Sequence, residues 1–374
     1  MKRVTTSLIM ASAFLVSSAA SAFTTYNCGA GHAEWSSNSK TIYAYTGSFP
    51  SGSPERSALN TAMARLNENS SNFSFNLVYS STVPSLGNGR SEIWMANISP
   101  PGVASSWWNG ACNFTETDIR LDTSVNWTTS TSKSTMSRYG GSGRPFQTTM
   151  LHELGHGLGL GHEADEYNIM GQDYTHVYTN GNSANAYFGE DANDGANFLY
   201  GSDGRQDLGV VHWKRTGANN GYSQHGRTKL YDVSTGNELS YSTVDDERVY
   251  NVNRGQQVSV ELTFENNGTA YQSEDVGYYV STNNYISTWD RLLATYTMGQ
   301  SQANVYTTRR TVTIPSDLDC STNYWLGAVI DKNGSLNEWS ESNNATYIPI
   351  RTNWNFSCFV FTPILTEPLV IQPL

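Results

Sequence analysis

The stretch Thr148-Thr-Met-Leu-His152-Glu153-Leu-Gly-His156-Gly-Leu-Gly159-Leu-Gly-His162-Glu163 decides how the first half of the chain is read. On a helix, His152 and His156 stand four residues apart and project from one face with their Cβ atoms about 5–6 Å apart. Two imidazoles at that separation can share one metal ion. Glu153 is offset by one position, where its carboxylate can take a proton from water at the metal's open side. On a continuous helix His162 would lie about 9 Å further along the axis than His156 and point elsewhere. The helix must therefore end in between. Gly157 and Gly159 supply the break, and Gly159 can adopt the left-handed conformation that turns the chain and returns His162 as a third ligand. Three neutral imidazoles leave a fourth position for water, the donor set of an open catalytic Zn2+ site. The reaction implied is peptide-bond hydrolysis: zinc brings the water pKa toward ~7 and polarises a carbonyl, while Glu153 relays the proton to the leaving amine. A bare His-Glu-x-x-His occurs often by chance; Gly159, His162 and a following Met170 each multiply against it.

With Met170 in Asn168-Ile-Met170-Gly-Gln172-Asp-Tyr174, the stretch resembles the long zinc signature of the metzincin endopeptidases. His152, Glu153, His156, Gly159 and His162 match it residue by residue, and Met170 resembles the Met-turn methionine that packs beneath the metal. The resemblance implies one catalytic zinc held by His152, His156 and His162, Glu153 as general base, and a substrate cleft along an edge strand. Matrixin-like bacterial members are the most similar: Thr117-Asp-Ile-Arg-Leu-Asp122 with Trp127 resembles their edge-strand region, and Asp194-Gly195 with Leu199-Tyr200-Gly201 resembles their closing helix. The resemblance runs from about Lys40 to Gly201. Gln172 stands where astacin-like and serralysin-like members place a Tyr, so Tyr174 and His176 are the candidates for transition-state stabilisation. The family's cysteine-switch propeptide has no counterpart between Phe23 and a strand expected at Thr41–Tyr45. Cys28 is expected in a disulfide rather than as a thiolate on zinc.

Around this motif, Leu59, Ala62, Met63 and Leu66 repeat at helical spacing and predict a helix over Pro54 to Asn69. Alternation over Phe73 to Tyr79 predicts a strand, with two more around Glu92 to Ala96 and Asp118 to Asp122. A twisted mixed sheet carrying an active-site helix follows, an α+β domain placed at residues 23–205. Beyond Gly201 helical periodicity stops. Val258, Val260, Leu262 and Phe264 alternate with Ser259, Glu261 and Thr263, and turn signals at Gly236-Asn237, Asn266-Asn267-Gly268 and Asn333-Gly334 punctuate short strands, which is sandwich patterning. Phe264-Glu-Asn-Asn-Gly268, Val276 to Thr282, Tyr324 to Val329 and Glu338 to Asn344 resemble an Ig-like, CARDB-like adhesion-type domain, placed at 206–352 with a tail at 353–374. Gly217 to Gly226 reads either as a linker or as a loop within the sandwich.

The chain has 374 residues, enough for two domains. With 10 Trp and 22 Tyr it carries too much apolar surface for a disordered chain. Its 22 basic and 33 acidic residues give a net charge of −11, a field that repels phosphate backbones, so nucleic acid is excluded as a partner. Lys2 and Arg3, the apolar run Leu8 to Val16, and Ala20-Ser21-Ala22 read as a secretory leader over residues 1–22. No later segment is long enough to span a bilayer. Export makes Cys28, Cys112, Cys320 and Cys358 disulfide candidates with three connectivities open; pairing within each half, Cys28 with Cys112 and Cys320 with Cys358, is expected. Glu190, Asp191 and Asp194 offer carboxylates for Ca2+, but acidic residues at a helix start are expected to complement its dipole instead. His32, His176, His212 and His225 lack ligand spacing and read as surface residues. The expected product is a secreted, monomeric zinc endopeptidase acting on proteins or glycoproteins. The rivals are an exported adhesin with a structural or vestigial zinc site, and a zinc hydrolase acting on another bond.

Overall fold

The computed structural model describes residues 23–29, 31–163, 168–171, 176–211 and 228–354. The leader expected at 1–22, Tyr174, His212, His225, Cys358 and the stretch Gly217 to Gly226 lie outside the described residues.

Ser53 opens the first helix: its side chain accepts a hydrogen bond from the Arg56 amide at 3.1 Å, and Pro54 supplies a first-turn φ at a position that needs no intrahelical donor. In α1 (Pro54–Asn67) the apolar face formed by Leu59, Ala62, Met63 and Leu66 is buried. It packs over a five-stranded sheet built from β1 (Ser39–Tyr45), β2 (Ser74–Ser80), β3 (Glu92–Ala96), β4 (Gly102–Trp108) and β5 (Phe114–Asp122). The strand order is β2-β1-β3-β5-β4. Only β4 is antiparallel, and it pairs with β5 alone, so among the described residues its outer edge is open.

The chain then passes through β6 (Trp127–Thr128) and β7 (Arg144–Pro145) into α2 (Phe146–Leu158), buried along its whole length. The hairpin of β8 (Val177–Asn180) and β9 (Ser183–Ala186) and the helix α3 (Glu190–Tyr200) follow. Glu190 and Asp191 sit, both buried, in the first turn of α3. Ile42, Leu59, Phe73, Ile119, Leu151 and Leu154 belong to one core, each contributing about 1.5–3 kcal/mol of burial.

Every described element after Gly201 is a strand: β10 (Leu208–Val211), β11 (Lys229–Asp232), β12 (Tyr241–Val244), β13 (Glu247–Val252), β14 (Gln257–Asn266), β15 (Gln272–Ser281), β16 (Arg291–Gln300), β17 (Asn304–Thr313), β18 (Asn323–Val329) and β19 (Ala345–Thr352). In one sheet β14 lies between β17 and the pair β10 and β11; the other runs β12-β13-β19-β18-β15-β16. Val258, Val260 and Leu262 from the first sheet and Tyr278, Leu326 and Ile348 from the second share one core. No described helix is long and apolar enough to cross a membrane.

A disulfide joins Cys28 to Cys112 with their Cα atoms 5.8 Å apart. Cys320 is also disulfide-bonded; Cys358, expected as its partner, lies outside the described residues. The two halves meet through buried polar contacts. Tyr187 donates to Glu265 at 2.9 Å, Asn180 exchanges two hydrogen bonds with the Ile286 backbone at 2.7 and 2.8 Å, and Thr346 donates to the Thr179 carbonyl at 2.9 Å. Lys133 reaches across to Glu247 and Tyr347. Asp207, at the crossing point, accepts from Asn267 and Asn343 at 2.8 Å each.

Candidate metal centre

The last carbonyls of a helix have no partner within it, and α2 places each of them. Gly159 ends the helix at φ +108°, and its amide returns to the His156 carbonyl at 3.0 Å. Leu160 N–H bonds the Gly155 carbonyl at 3.1 Å. Outside the helix, Trp35 Nε1 donates to the Gly157 carbonyl at 2.9 Å, the Tyr200 hydroxyl to the Leu158 carbonyl, and the Tyr26 amide to the Gly159 carbonyl at 3.0 Å. The turn is thus held from three directions. A Cβ on Gly159 would meet the Ala33 carbonyl at 2.6 Å, so glycine is required twice over at this position.

Beyond the turn, the segment at 23–28 runs alongside residues 159–162. Thr24 donates through its hydroxyl to the His162 carbonyl at 2.8 Å, and Gly161 N–H bonds the Thr24 carbonyl at 2.8 Å. His162 comes back over the helix face as a result. The Nε2 atoms of His152, His156 and His162 lie 3.1, 3.1 and 3.3 Å from one another.

Those three nitrogens test whether a cation fits. His152 Nδ1 lies 2.6 Å from the Ile169 carbonyl and His156 Nδ1 2.8 Å from the Leu160 carbonyl. A carbonyl only accepts, so each Nδ1 carries the proton and each facing Nε2 presents a lone pair. Lone pairs converging this closely repel unless a cation lies between them. Burial lowers the pKa of His156 to about 3, with the neighbouring His152 and His162 acting in the same direction, which keeps the imidazole neutral and free to ligate. His152, His156 and His162 could therefore hold a metal ion, and among the described residues no other His, Cys, Asp or Glu trio converges in this way.

Glu153 leaves the helix toward the start of β4: a Cβ on Gly102 would strike its carboxylate. The carboxylate thus packs against the first residue of β4, the strand at the end of the sheet. Met170 is buried beneath α2, and a Cβ on Gly155 would run into its sulfur, so the bare backbone of Gly155 makes room for it. The Met170 carbonyl accepts from the Glu163 amide at 3.1 Å and the neighbouring Ile169 carbonyl holds His152, so this turn braces both ends of the ligand stretch.

Residues 103–201 match the matrixin family of peptidases. The matrixin segment includes the histidine trio, Glu153, Met170 and all but the first residue of β4. No curated protein matches the chain. Among solved structures, it is similar to the CARDB domain of the PF1109 protein in complex with di-metal ions from Pyrococcus furiosus, at 14% identity over 41% of this chain and 99% of that one, TM-score 0.26. A solution structure of the same domain gives 14% identity over 40% and 96%, TM-score 0.24. Spo0M, a sporulation control protein from Bacillus subtilis, gives 12% over 28% and 46%, TM-score 0.20.

The surface assignment of His176 is corrected here. The ring is fully buried, stacked on Tyr187 with centroids 4.1 Å apart and seated over Gly189, where the absent side chain leaves its space. His32 is exposed.

Tyr26 was not singled out by any sequence pattern. Its ring stacks beside His156 at 6.0 Å and beside Trp108 at 6.2 Å. Burial, then the charge of Glu153, push its hydroxyl up to about pKa 12, so it stays protonated beside the site. A lone Tyr 130 residues ahead of the motif carries no local signal; only the backbone pairing of residues 23–28 with the turn brings it there.

Proposed function

We propose that the chain is an exported zinc-dependent endopeptidase, with a catalytic domain at 23–205 and a sandwich domain at 206–352. The observation that carries this reading is the convergence of three Nε2 atoms within 3.3 Å of one another, at the helix whose Glu153 carboxylate packs against the first residue of the edge strand β4. His152, His156 and His162 would hold zinc, which lowers the pKa of water and polarises a carbonyl. Glu153 accepts the proton of the attacking water and delivers it to the departing amine. The outer amides and carbonyls of β4, unpaired among the described residues, receive an extended substrate as an added strand, orienting the scissile bond toward Glu153. The fixed Nδ1 contacts of His152 and His156 keep both rings aligned, which limits reorganisation during the reaction. Export is supported by the leader-like sequence at 1–22 and by the disulfide between Cys28 and Cys112.

The test is digestion of a proteome-derived peptide library by the purified chain, with and without a zinc chelator, alongside Glu153→Gln. Cleavage that stops on chelation and in the variant supports the reading. A metal-loaded chain that cleaves nothing favours an adhesin with a structural ion, and cleavage that survives chelation removes the metal from the mechanism.

A further inference from the structure

Away from the histidines, the junction of the two halves encloses a second concave region, a cleft of about 520 Å3 that shares no lining residue with the histidine trio. That volume falls within the range of about 300–1,000 Å3 common for small-ligand sites, and domain junctions are where such sites concentrate. One wall is the β8–β9 hairpin. The opposite walls are the loop after β15, the segment 329–334 and the segment 341–345.

The lining chemistry narrows the ligand class. Its ionic groups are Asp331, Glu341 and Lys332, and each has a local partner. Asp331 accepts from the amides of Ser335 and Leu336 at 2.9 Å and from the Ser335 hydroxyl at 2.8 Å; Glu341 accepts from Asn344 at 2.9 Å; Lys332 donates to Asn333 at 2.9 Å. The side chains of Ser183, Asn185 and Thr288 and the Tyr285 hydroxyl have no partner among the described residues. Both the hairpin wall and the wall formed by the loop after β15 therefore present neutral donors and acceptors without a partner among the described residues. An apolar ligand would strip water from these groups without replacing its hydrogen bonds. An anionic ligand would meet two carboxylates against one ammonium.

Tyr285 adds a stacking face. Its ring is 62% exposed and leans over Gly181, where a Cβ would lie 3.2 Å from the ring edge at φ +77°. The part-buried Val329 and Ala345 supply small apolar patches between the polar groups. Flat C–H faces ringed by hydroxyls are what an aromatic ring set among amides receives. We propose that this cleft binds a neutral oligosaccharide, stacked on Tyr285 and hydrogen-bonded by Asn185, Ser183 and Thr288. Its use as a docking point for glycosylated substrates rests on the peptidase reading; the binding itself does not. The two hydrogen bonds exchanged by Asn180 and the Ile286 backbone join the hairpin wall to the wall formed by the loop after β15.

The experiment uses the full chain carrying Glu153→Gln, titrated calorimetrically and by saturation-transfer NMR with triacetylchitotriose, maltotriose and, as the anionic counterpart, sialyllactose. A neutral trisaccharide is expected to bind at one site, with Asn185→Ala and Tyr285→Ala each weakening it about tenfold or more. Tyr285→Phe, which keeps the ring, should weaken it less and so separates stacking from loss of fold. Absence of saturation by either neutral sugar at about 10 mM, binding of sialyllactose alone, or binding indifferent to Asn185 and Tyr285 would overturn the proposal. Failure of the peptidase reading shows separately, as casein left intact by the wild-type chain while sugar binding persists.

Discussion

The hydroxyl of Tyr187 donates to Oε1 of Glu265 at 2.9 Å, joining the segment that follows the hairpin to a strand of the sandwich through a carboxyl with no solvent exposure. Burial is the main reason the Glu265 carboxyl titrates at about 8, with Glu338 also pushed to about 8 and Asp207 well above its ordinary range. In the folded chain Glu265 and Glu338 keep their protons to about pH 8, whereas in the unfolded chain they release them near pH 4.5. Between those values these carboxyls make the folded state bind more protons, and above about pH 6.5, where the lowered pKa of His156 no longer opposes them, stability falls as pH rises. Calorimetric Tm is expected to drop from about pH 6.5 to about pH 8, less steeply in Glu265→Gln. A Tm that is flat or rises over that window contradicts this account.

Glu153→Gln should retain the bound metal, because the imidazoles are untouched, and lose about 10²–10⁴-fold in kcat through the missing proton acceptor. Elemental analysis and single-substrate kinetics on the same sample check both halves of the expectation. Equal kcat in the two proteins would remove Glu153 from the chemistry.

Gly159→Ala should be among the most damaging single-atom additions. A left-handed non-glycine costs about 1–2 kcal/mol before the collision with the Ala33 carbonyl is counted. Because His162 follows this turn, metal affinity measured by competition with a chromogenic chelator should fall together with Tm. A variant as stable as the parent, with unchanged affinity, would show that the turn tolerates another geometry.

Reduction of the bridge between Cys28 and Cys112, or its replacement by Cys28→Ser with Cys112→Ser, frees the segment that pairs with residues 159–162. A loss of about 2–4 kcal/mol in stability is expected. Metal release should accelerate in parallel, since Thr24 and Tyr26 no longer secure the turn, and a stopped-flow chelator assay reads that rate.

Helix α1 and the body of α2 were legible because their apolar and ligand spacings are local and periodic, and Gly159 marked where α2 had to end. Strand β4 was missed. Its sequence, Gly102-Val-Ala-Ser-Ser-Trp-Trp108, is half-exposed along an edge and lacks the alternation that a one-sided core imposes. Strand β5 was read only from Asp118, while it begins at Phe114, because Glu116 and Asp118 are buried carboxylates held by the amides of Asn88, Gly89 and Glu92 in a region that looks polar. The β8–β9 hairpin offers little pattern because it is short: Asn180-Gly-Asn182 marks the turn, but four residues on either strand are too few to show a clear alternation, and Val177, Tyr178, Ala184 and Ala186 are buried by tertiary packing. His176 was misplaced for the same cause, since burial against Tyr187 is set by tertiary packing. The supports of the turn, Trp35, Tyr200 and Tyr26, sit 122, 42 and 133 positions from their partners, distances at which a sequence carries no periodic signal.

The edge of β4, unpaired among the described residues and ending in the partly exposed Trp107 and Trp108, is where the peptidase reading seats an extended chain, and a neighbouring copy can supply one. On that reading, concentrated stocks should lose intact chain by autolysis during storage. The Glu153→Gln protein, with the same edge but turnover slowed about 10²–10⁴-fold, is the form to keep for crystals and titrations.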